Sequence, residues 1–231
     1  MNLLRRHKHA ILLAALIVVA LVESFSHRLV LGQVLSDLII VTVLLLVFLI
    51  VFNRRVNRLV AFLAWAAVVV VHGAHYLLPG ASEAPLQLIN HSATLLLVGF
   101  ATLVILRNIF EQHVVRIDDL LGAMCGYLLA ASAWSNLFLL IELFVPGSFS
   151  AGPGFAAWGD TWHGRIALLN YVSLGSLTSL GSGVVIPVRP PVTMLTTLEA
   201  VFGQFYIAVV VARLVGARLS QAPQRNSAPP A

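Results

Sequence analysis

Long apolar stretches separated by short polar segments dominate the chain. Several of them reach about 20 residues, the length that an α-helix needs to cross the hydrocarbon core of a bilayer. This pattern predicts an all-α polytopic membrane protein with six transmembrane helices. We expect these spans near residues 9–26, 33–52, 58–78, 86–107, 118–145 and 191–216.

One segment, Tyr171–Pro187, departs from this pattern, because it is short, polar and punctuated by glycines although it lies between spans five and six. At membrane depth, backbone that is not helical is tolerated only where protein buries it or where it lines a water-filled path. We therefore predict a re-entrant segment that lines a pore. Either Asp160 or Thr161 is expected to cap a short helix through WHGRIALLNYVSLGSL, which is too short and too polar for a comfortable span.

The end of this short helix carries the candidate chemistry. Its C-terminal end would point into the membrane, where the negative end of the helix dipole favours a cation. Glycines at alternate positions allow positive φ angles, so that successive carbonyl groups can face one axis and replace the hydration shell of an ion. The predicted ion pathway is formed by Thr178, Ser179, Leu180, Gly181, Ser182 and Gly183.

Composition and charge agree with a membrane protein. Apolar residues make up 59% of the chain and charged residues 10%, which excludes a soluble globular protein. The net charge of +5 arises from cations spread over loop ends, so that topology explains it better than a nucleic-acid partner does. Because Lys and Arg accumulate in cytoplasmic loops, we place both termini in the cytoplasm, with lipid around the spans. With no other targeting signal in the sequence, we expect the inner or plasma membrane. The cations on that side are Arg5, Arg6, Lys8, Arg54, Arg55, Arg58, Arg107, Arg116, Arg213 and Arg218.

The predicted spans fall into two units and a tail. Residues 1–117 form a four-span accessory membrane domain. Span four holds no arginine until Arg107, so this domain lacks the arginine repeat of a voltage sensor. Residues 118–219 form the pore module, with outer helix, pore helix, filter and inner helix. Residues 220–231 are polar and proline-rich, which predicts a disordered cytoplasmic tail.

Other chemistry receives less support. His72 and His75 are three residues apart, and together with His91 they admit a zinc or proton-sensing site. Polar residues at the headgroup boundary explain these histidines better, so we predict no metal site and no cofactor. Cys125, the single cysteine, is expected to be a packed apolar residue. The chain contains neither a P-loop nor an HExxH or GxSxG motif, and we do not expect an enzyme.

The segment resembles the potassium-channel superfamily, whose filter reads Thr-Val-Gly-Tyr-Gly. The run YVSLGSLTSLGSGVVIPVRP looks like the pore region of bacterial channels with a two-span pore, and LEAVFGQFYIAVVVARLVG looks like their inner helix, so that the resemblance covers roughly residues 160 to 216. It implies a homotetramer with C4 symmetry around permeant monovalent cations, K⁺ above all. It also implies an inner helix in which Gly203 is a hinge, unless this glycine serves close helix packing. Glu199 and Gln204 would then be its polar support.

The sequence departs from the family at two positions. In the family, the filter tyrosine wedges against the pore helix and the following aspartate forms a hydrogen bond behind the filter, whereas this chain has Ser182 and Val184. We therefore expect a cation channel with relaxed selectivity. Two alternatives stay open: a non-conducting homologue that co-assembles with related pore subunits as a structural or regulatory subunit, and a transporter that uses the histidines on the outer side.

Overall fold

The computed structural model describes residues 8–26, 30–51, 55–77, 83–111, 117–153, 155 and 161–221. Within these ranges the chain forms seven helices and two short strands. The helices are α1 (Lys8–Ser26), α2 (Val30–Val51), α3 (Arg55–Leu77), α4 (Glu83–Glu111), α5 (Ile117–Phe144), α6 (Trp162–Leu177) and α7 (Pro190–Gln221). The strands are β1 (Phe149–Ala151) and β2 (Val185–Pro187).

Each predicted span coincides with a helix, and the described part of the chain is that of a helical membrane protein. Three helices contain stretches long and apolar enough to cross a membrane, namely Ala84–Glu111 in α4, Asp118–Phe144 in α5 and Pro190–Arg213 in α7. The apolar stretches of α1, α2 and α3 are shorter within the described residues. Helix α7 ends at Gln221, two residues into the predicted tail, and residues 222–231 lie outside the described residues.

Two apolar clusters hold the helices together. The larger one joins α1 to α5 with α7 and contains Leu12, Val47, Val68, Leu97 and Leu129, all almost fully buried. Within it α4 packs along α5, α3 lies against α4, and α1 lies against α2 and α5. The second cluster surrounds α6, where Phe138 and Leu139 of α5 pack on Leu168, Leu169 and Val172. Helix α6 is therefore anchored on α5 on one side and contacts α7 on another.

A small antiparallel sheet, absent from the sequence prediction, joins the segment after α5 to the segment after α6. Its register pairs Phe149 with Pro187 and Ala151 with Val185. The turn before β1 is closed by Glu142, whose carboxylate accepts hydrogen bonds from the backbone N–H groups of Gly147 (2.7 Å) and Ser148 (3.0 Å). The sheet thus holds the two ends of the α6 region together.

Candidate functional site

Helix α6 is fixed at both ends by side chains. Thr161 is the N-cap, as one of the two predicted caps, and its Oγ1 accepts a hydrogen bond from the backbone N–H of Gly164 at 3.1 Å. Asp160, the other, lies outside the described residues. At the C-terminal end, the Tyr127 hydroxyl donates to the carbonyl oxygen of Leu177 at 2.8 Å. The predicted short helix is confirmed from Trp162 to Leu177.

Gly203 of α7 faces the same end of α6. A Cβ atom at this position would overlap the carbonyl group of Leu177, closer than any real contact allows. The structure thus favours close helix packing for this glycine over the hinge, because the end of α6 leaves no room for a side chain at this position of α7.

After α6 the backbone alternates in handedness. Positive φ angles occur at Ser179 (+58°), Gly181 (+78°) and Gly183 (+62°), that is, at every second residue. Glycine adopts this conformation without strain, whereas a residue with a side chain rarely does. At Ser179 the serine hydroxyl accepts a hydrogen bond from Gln204 Nε2 at 2.9 Å, which ties the strained residue to α7. The positive φ angles predicted at alternate positions are therefore present, and they occur at Ser179 as well as at the two glycines.

The loop after α6, residues 178–184, lies directly on the helix. The backbone N–H of Gly181 donates to the carbonyl oxygen of Gly175 at 2.9 Å. A Cβ atom on Gly175 would come within 3.1 Å of the Gly181 carbonyl group. The glycine on α6 thus lets the loop approach the helix closely.

Tyr171 of α6 binds the same loop from the side. Its hydroxyl donates to the carbonyl oxygen of Ser182 at 2.7 Å, and the backbone N–H of Val184 donates to the same oxygen at 2.6 Å. The Ser182 hydroxyl in turn donates to the carbonyl oxygen of Val185. A tyrosine on the short helix therefore contacts the loop, which sequence reasoning missed.

Glu199 lies behind α6. Its side chain is fully buried, and Oε1 is within hydrogen-bond distance of the Ser173 hydroxyl, which also lies 2.7 Å from the carbonyl oxygen of Ala131. An acid inside an apolar segment is costly unless it is paired or hydrogen-bonded. The serine thus connects α5, α6 and α7 at one point. In the sequence, this contact of Ser173 is indicated only by the presence of a hydroxyl side chain in the middle of α6.

Of the three histidines, the structure describes the side chain of His91 alone. His91 Nδ1 lies 2.8 Å from Asn136 Oδ1, and its ring packs against Trp162 with centroids 5.5 Å apart. Nothing is described for the side chains of His72, His75 and Glu83. Within the part of the chain that the structure describes, no three His, Cys, Asp or Glu side chains form a metal-binding group. Cys125 is buried and its thiol donates to the carbonyl oxygen of His9, in keeping with a packed residue.

Comparison of the chain with protein-family models, with curated proteins and with solved structures finds no match. The resemblance to potassium channels rests on the residues of segment 160–216 and stays a prediction.

Proposed function

We propose that the protein is a tetrameric cation channel of the potassium-channel type, with relaxed selectivity between sodium and potassium. The observation that supports this best is the alternation of positive φ angles at Ser179, Gly181 and Gly183, directly after a short helix that is packed between two long apolar helices. Such a backbone presents successive carbonyl oxygens to one side, as an ion that loses its hydration shell requires.

The dipole of helix α6 also supports cation binding at the loop. Its C-terminal end carries the negative end of the helix dipole, and the loop begins there, at Thr178. A cation that enters the loop would be stabilised by this dipole and by the carbonyl groups, without an acidic side chain in the loop.

The exposure of apolar side chains supports assembly into a tetramer. Leu180 in the loop is 85% exposed within a single chain, and only 28% of the apolar stretch of α7 is buried, against 50% for α5. A carbonyl cage requires about four such loops around an axis. Four copies with C4 symmetry would surround the axis with the loops and cover these apolar surfaces.

The proposed topology follows from the same assembly. Helices α1 to α5 and α7 would each cross the inner or plasma membrane, with both termini cytoplasmic, and α6 would be re-entrant from the outside. Residues 1–117 would form the accessory domain and 118–219 the pore module.

The carbonyl group of Ser182 favours a second candidate function, that of a non-conducting subunit. Its oxygen accepts hydrogen bonds from the Tyr171 hydroxyl and the Val184 backbone, and both donors belong to the protein. In this conformation the oxygen is directed towards protein groups rather than to an ion. A ring with one such position would bind cations less well than a complete ring.

The deciding experiment is the reversal potential of the purified protein in planar bilayers under opposing potassium and sodium gradients. A small bias towards the potassium value supports the proposal, and a potential at the potassium value would contradict relaxed selectivity. Absence of current from a protein whose native mass is a tetramer would support the non-conducting subunit. The control is Gly181→Ala with Gly183→Ala, which should abolish the current because alanine is strained at both positive φ angles.

A further inference from the structure

A partly open cavity of about 90 Å³ lies away from the loop, between α1, α2, α4, α5 and α6. Leucine and valine side chains of α1, α2 and α4 form much of its wall, but polar groups from four helices also face it. They include Asp37, Asn90, His91, Ser135, Asn136 and Asn170. A cavity holds a water molecule when it offers roughly 10–15 Å³ of this volume, so this one has room for a small ion with a few waters.

Two oxygen atoms in the cavity have no hydrogen-bond partner within the part of the chain that the structure describes. Ser135 is fully buried, and its hydroxyl has no hydrogen-bond partner among the described residues. The same holds for the side-chain carbonyl oxygen of Asn90. Burial of a polar group without a partner is costly, so such atoms point to a ligand that the protein itself does not supply.

Asp37 brings a carboxylate to the same cavity from α2. The residue is 9% exposed, and its Oδ1 lies 3.5 Å from Nε2 of His163 on α6. Acidic residues inside apolar helices are rare and commonly mark ion or proton pathways. Sequence reasoning overlooked this aspartate, although an acid within the run LSDLIIV is itself a signal.

The chemistry of these groups points to one class of ligand. With His163 neutral, the carboxylate of Asp37 balances a single positive charge, and neutral amide and hydroxyl oxygens are suited to complete the shell of a hard cation. We infer that the cavity at Asp37, Asn90 and Ser135 is a binding site for a monovalent cation, namely Na⁺. This site is separate from the loop after α6 and does not depend on conduction through it.

An ion in this cavity would also fasten α6 to the helix bundle. Ile166 and Asn170 of α6 line the same space as Asp37 of α2 and Asn90 of α4. The ion would therefore stabilise the position of α6 relative to the accessory helices. Binding to the folded state alone raises the unfolding temperature in proportion to the logarithm of ligand concentration.

The test uses the purified full-length protein in detergent, with equilibrium binding of ²²Na⁺ and thermal unfolding in NaCl or choline chloride at equal ionic strength. Wild-type protein should bind Na⁺ and unfold at a higher temperature in NaCl than in choline chloride. Asp37→Asn should weaken Na⁺ binding at least tenfold and remove the difference between the salts. Asp119→Asn, the same change at a carboxylate that does not line the cavity, should leave both unchanged.

Two further variants keep the test decisive. Ser135→Ala removes one neutral oxygen and preserves the charge, and it should weaken Na⁺ binding severalfold even if Asp37→Asn does not fold. Gly181→Ala with Gly183→Ala alters the loop and should retain the Asp37-dependent binding. The inference is overturned if wild-type protein shows no Na⁺ binding, or if Asp37→Asn and Ser135→Ala both bind Na⁺ as well as wild-type protein does.

Discussion

Individual side chains of three helices, together with hydrogen bonds of the loop backbone, hold the chain after α6 in place. Tyr171 binds the Ser182 carbonyl group from α6, Gln204 binds the Ser179 hydroxyl from α7, and Tyr127 binds the end of α6 from α5. Each of these hydrogen bonds is contributed by a different helix. The conformation of the loop therefore depends on the packing of three helices.

Tyr171→Phe is expected to change conduction with little loss of stability. The ring keeps its stacking against Phe155, 6.3 Å between centroids, while the hydrogen bond to Ser182 is lost at a cost of about 0.5–1.5 kcal/mol. The Ser182 carbonyl group then keeps the Val184 N–H as its remaining described donor and can turn towards an ion more readily, so the cation current should rise and the reversal potential should shift. Single-channel recording in planar bilayers measures both.

The matched control for this variant is Tyr206→Phe. Tyr206 also donates its hydroxyl to a backbone carbonyl group, that of Ala123 at 2.8 Å, but it does not contact the loop. Equal currents in Tyr171→Phe and wild-type protein would show that the hydrogen bond to Ser182 does not limit conduction.

Ser173→Ala should destabilise the protein through Glu199. Without the hydroxyl, a fully buried carboxyl group loses the hydrogen bond between α6 and α7, and such a loss costs about 1–3 kcal/mol. The unfolding temperature in detergent should fall, whereas Ser176→Ala on the same helix should alter it little. Glu199→Gln retains a hydrogen-bonding side chain of equal size and should be tolerated better than Glu199→Ala. Identical unfolding temperatures for Ser173→Ala and Ser176→Ala would exclude a structural role for this contact.

At the scale of elements, the sequence predicts the helices better than their contacts. The apolar runs determine the positions of the long helices, and the run from Trp162 to Leu177 is predicted to the residue because a capping threonine precedes it. The pairing of Phe149–Ala151 with Val185–Pro187 is absent from the prediction, because strands of three residues have no periodicity to recognise. Asp37 and Ser135 were missed for a similar reason, since only the folded bundle brings them to one cavity.

A side chain at Gly175 is expected to displace the loop from α6. A Cβ atom there would contact the Gly181 carbonyl group at 3.1 Å, so the loop would have to move by a few tenths of an ångström. Gly175→Ala should therefore reduce or abolish the cation current. Gly99→Ala on α4 is the control, because a Cβ atom at Gly99 meets nothing within 4 Å and alanine stabilises a helix by about 0.5–1 kcal/mol relative to glycine. Normal current in Gly175→Ala would show that the loop does not rest on α6 in the conducting state.

For the whole molecule, a single chain leaves the loop after α6 partly uncovered. The loop is supported from behind by α6 and α7, but Leu180 at its tip is 85% exposed, and much of α7 is apolar and uncovered. Contiguous exposed apolar surface marks contact with another protein or with lipid, and assembly of four copies would cover it at Leu180 and along α7. Helix α3 also exposes apolar residues, among them Leu63, and it packs mainly on α2 and α4 among the described residues, which is consistent with contact to lipid.

Leu180→Cys should allow chemical crosslinking between subunits. Because Cys125 is the single cysteine and is buried, the crosslinked thiol is introduced into a Cys125→Ala background. Four loops around one axis place the new thiols close together, so a flexible bis-maleimide should convert most of the protein into covalent dimers on a denaturing gel. Leu63→Cys, at a 59% exposed position on α3, provides the control and should stay monomeric, since the accessory helices would lie far from the axis. Crosslinking at Leu63 but not at Leu180 would place the interface on the accessory domain and contradict a central pore.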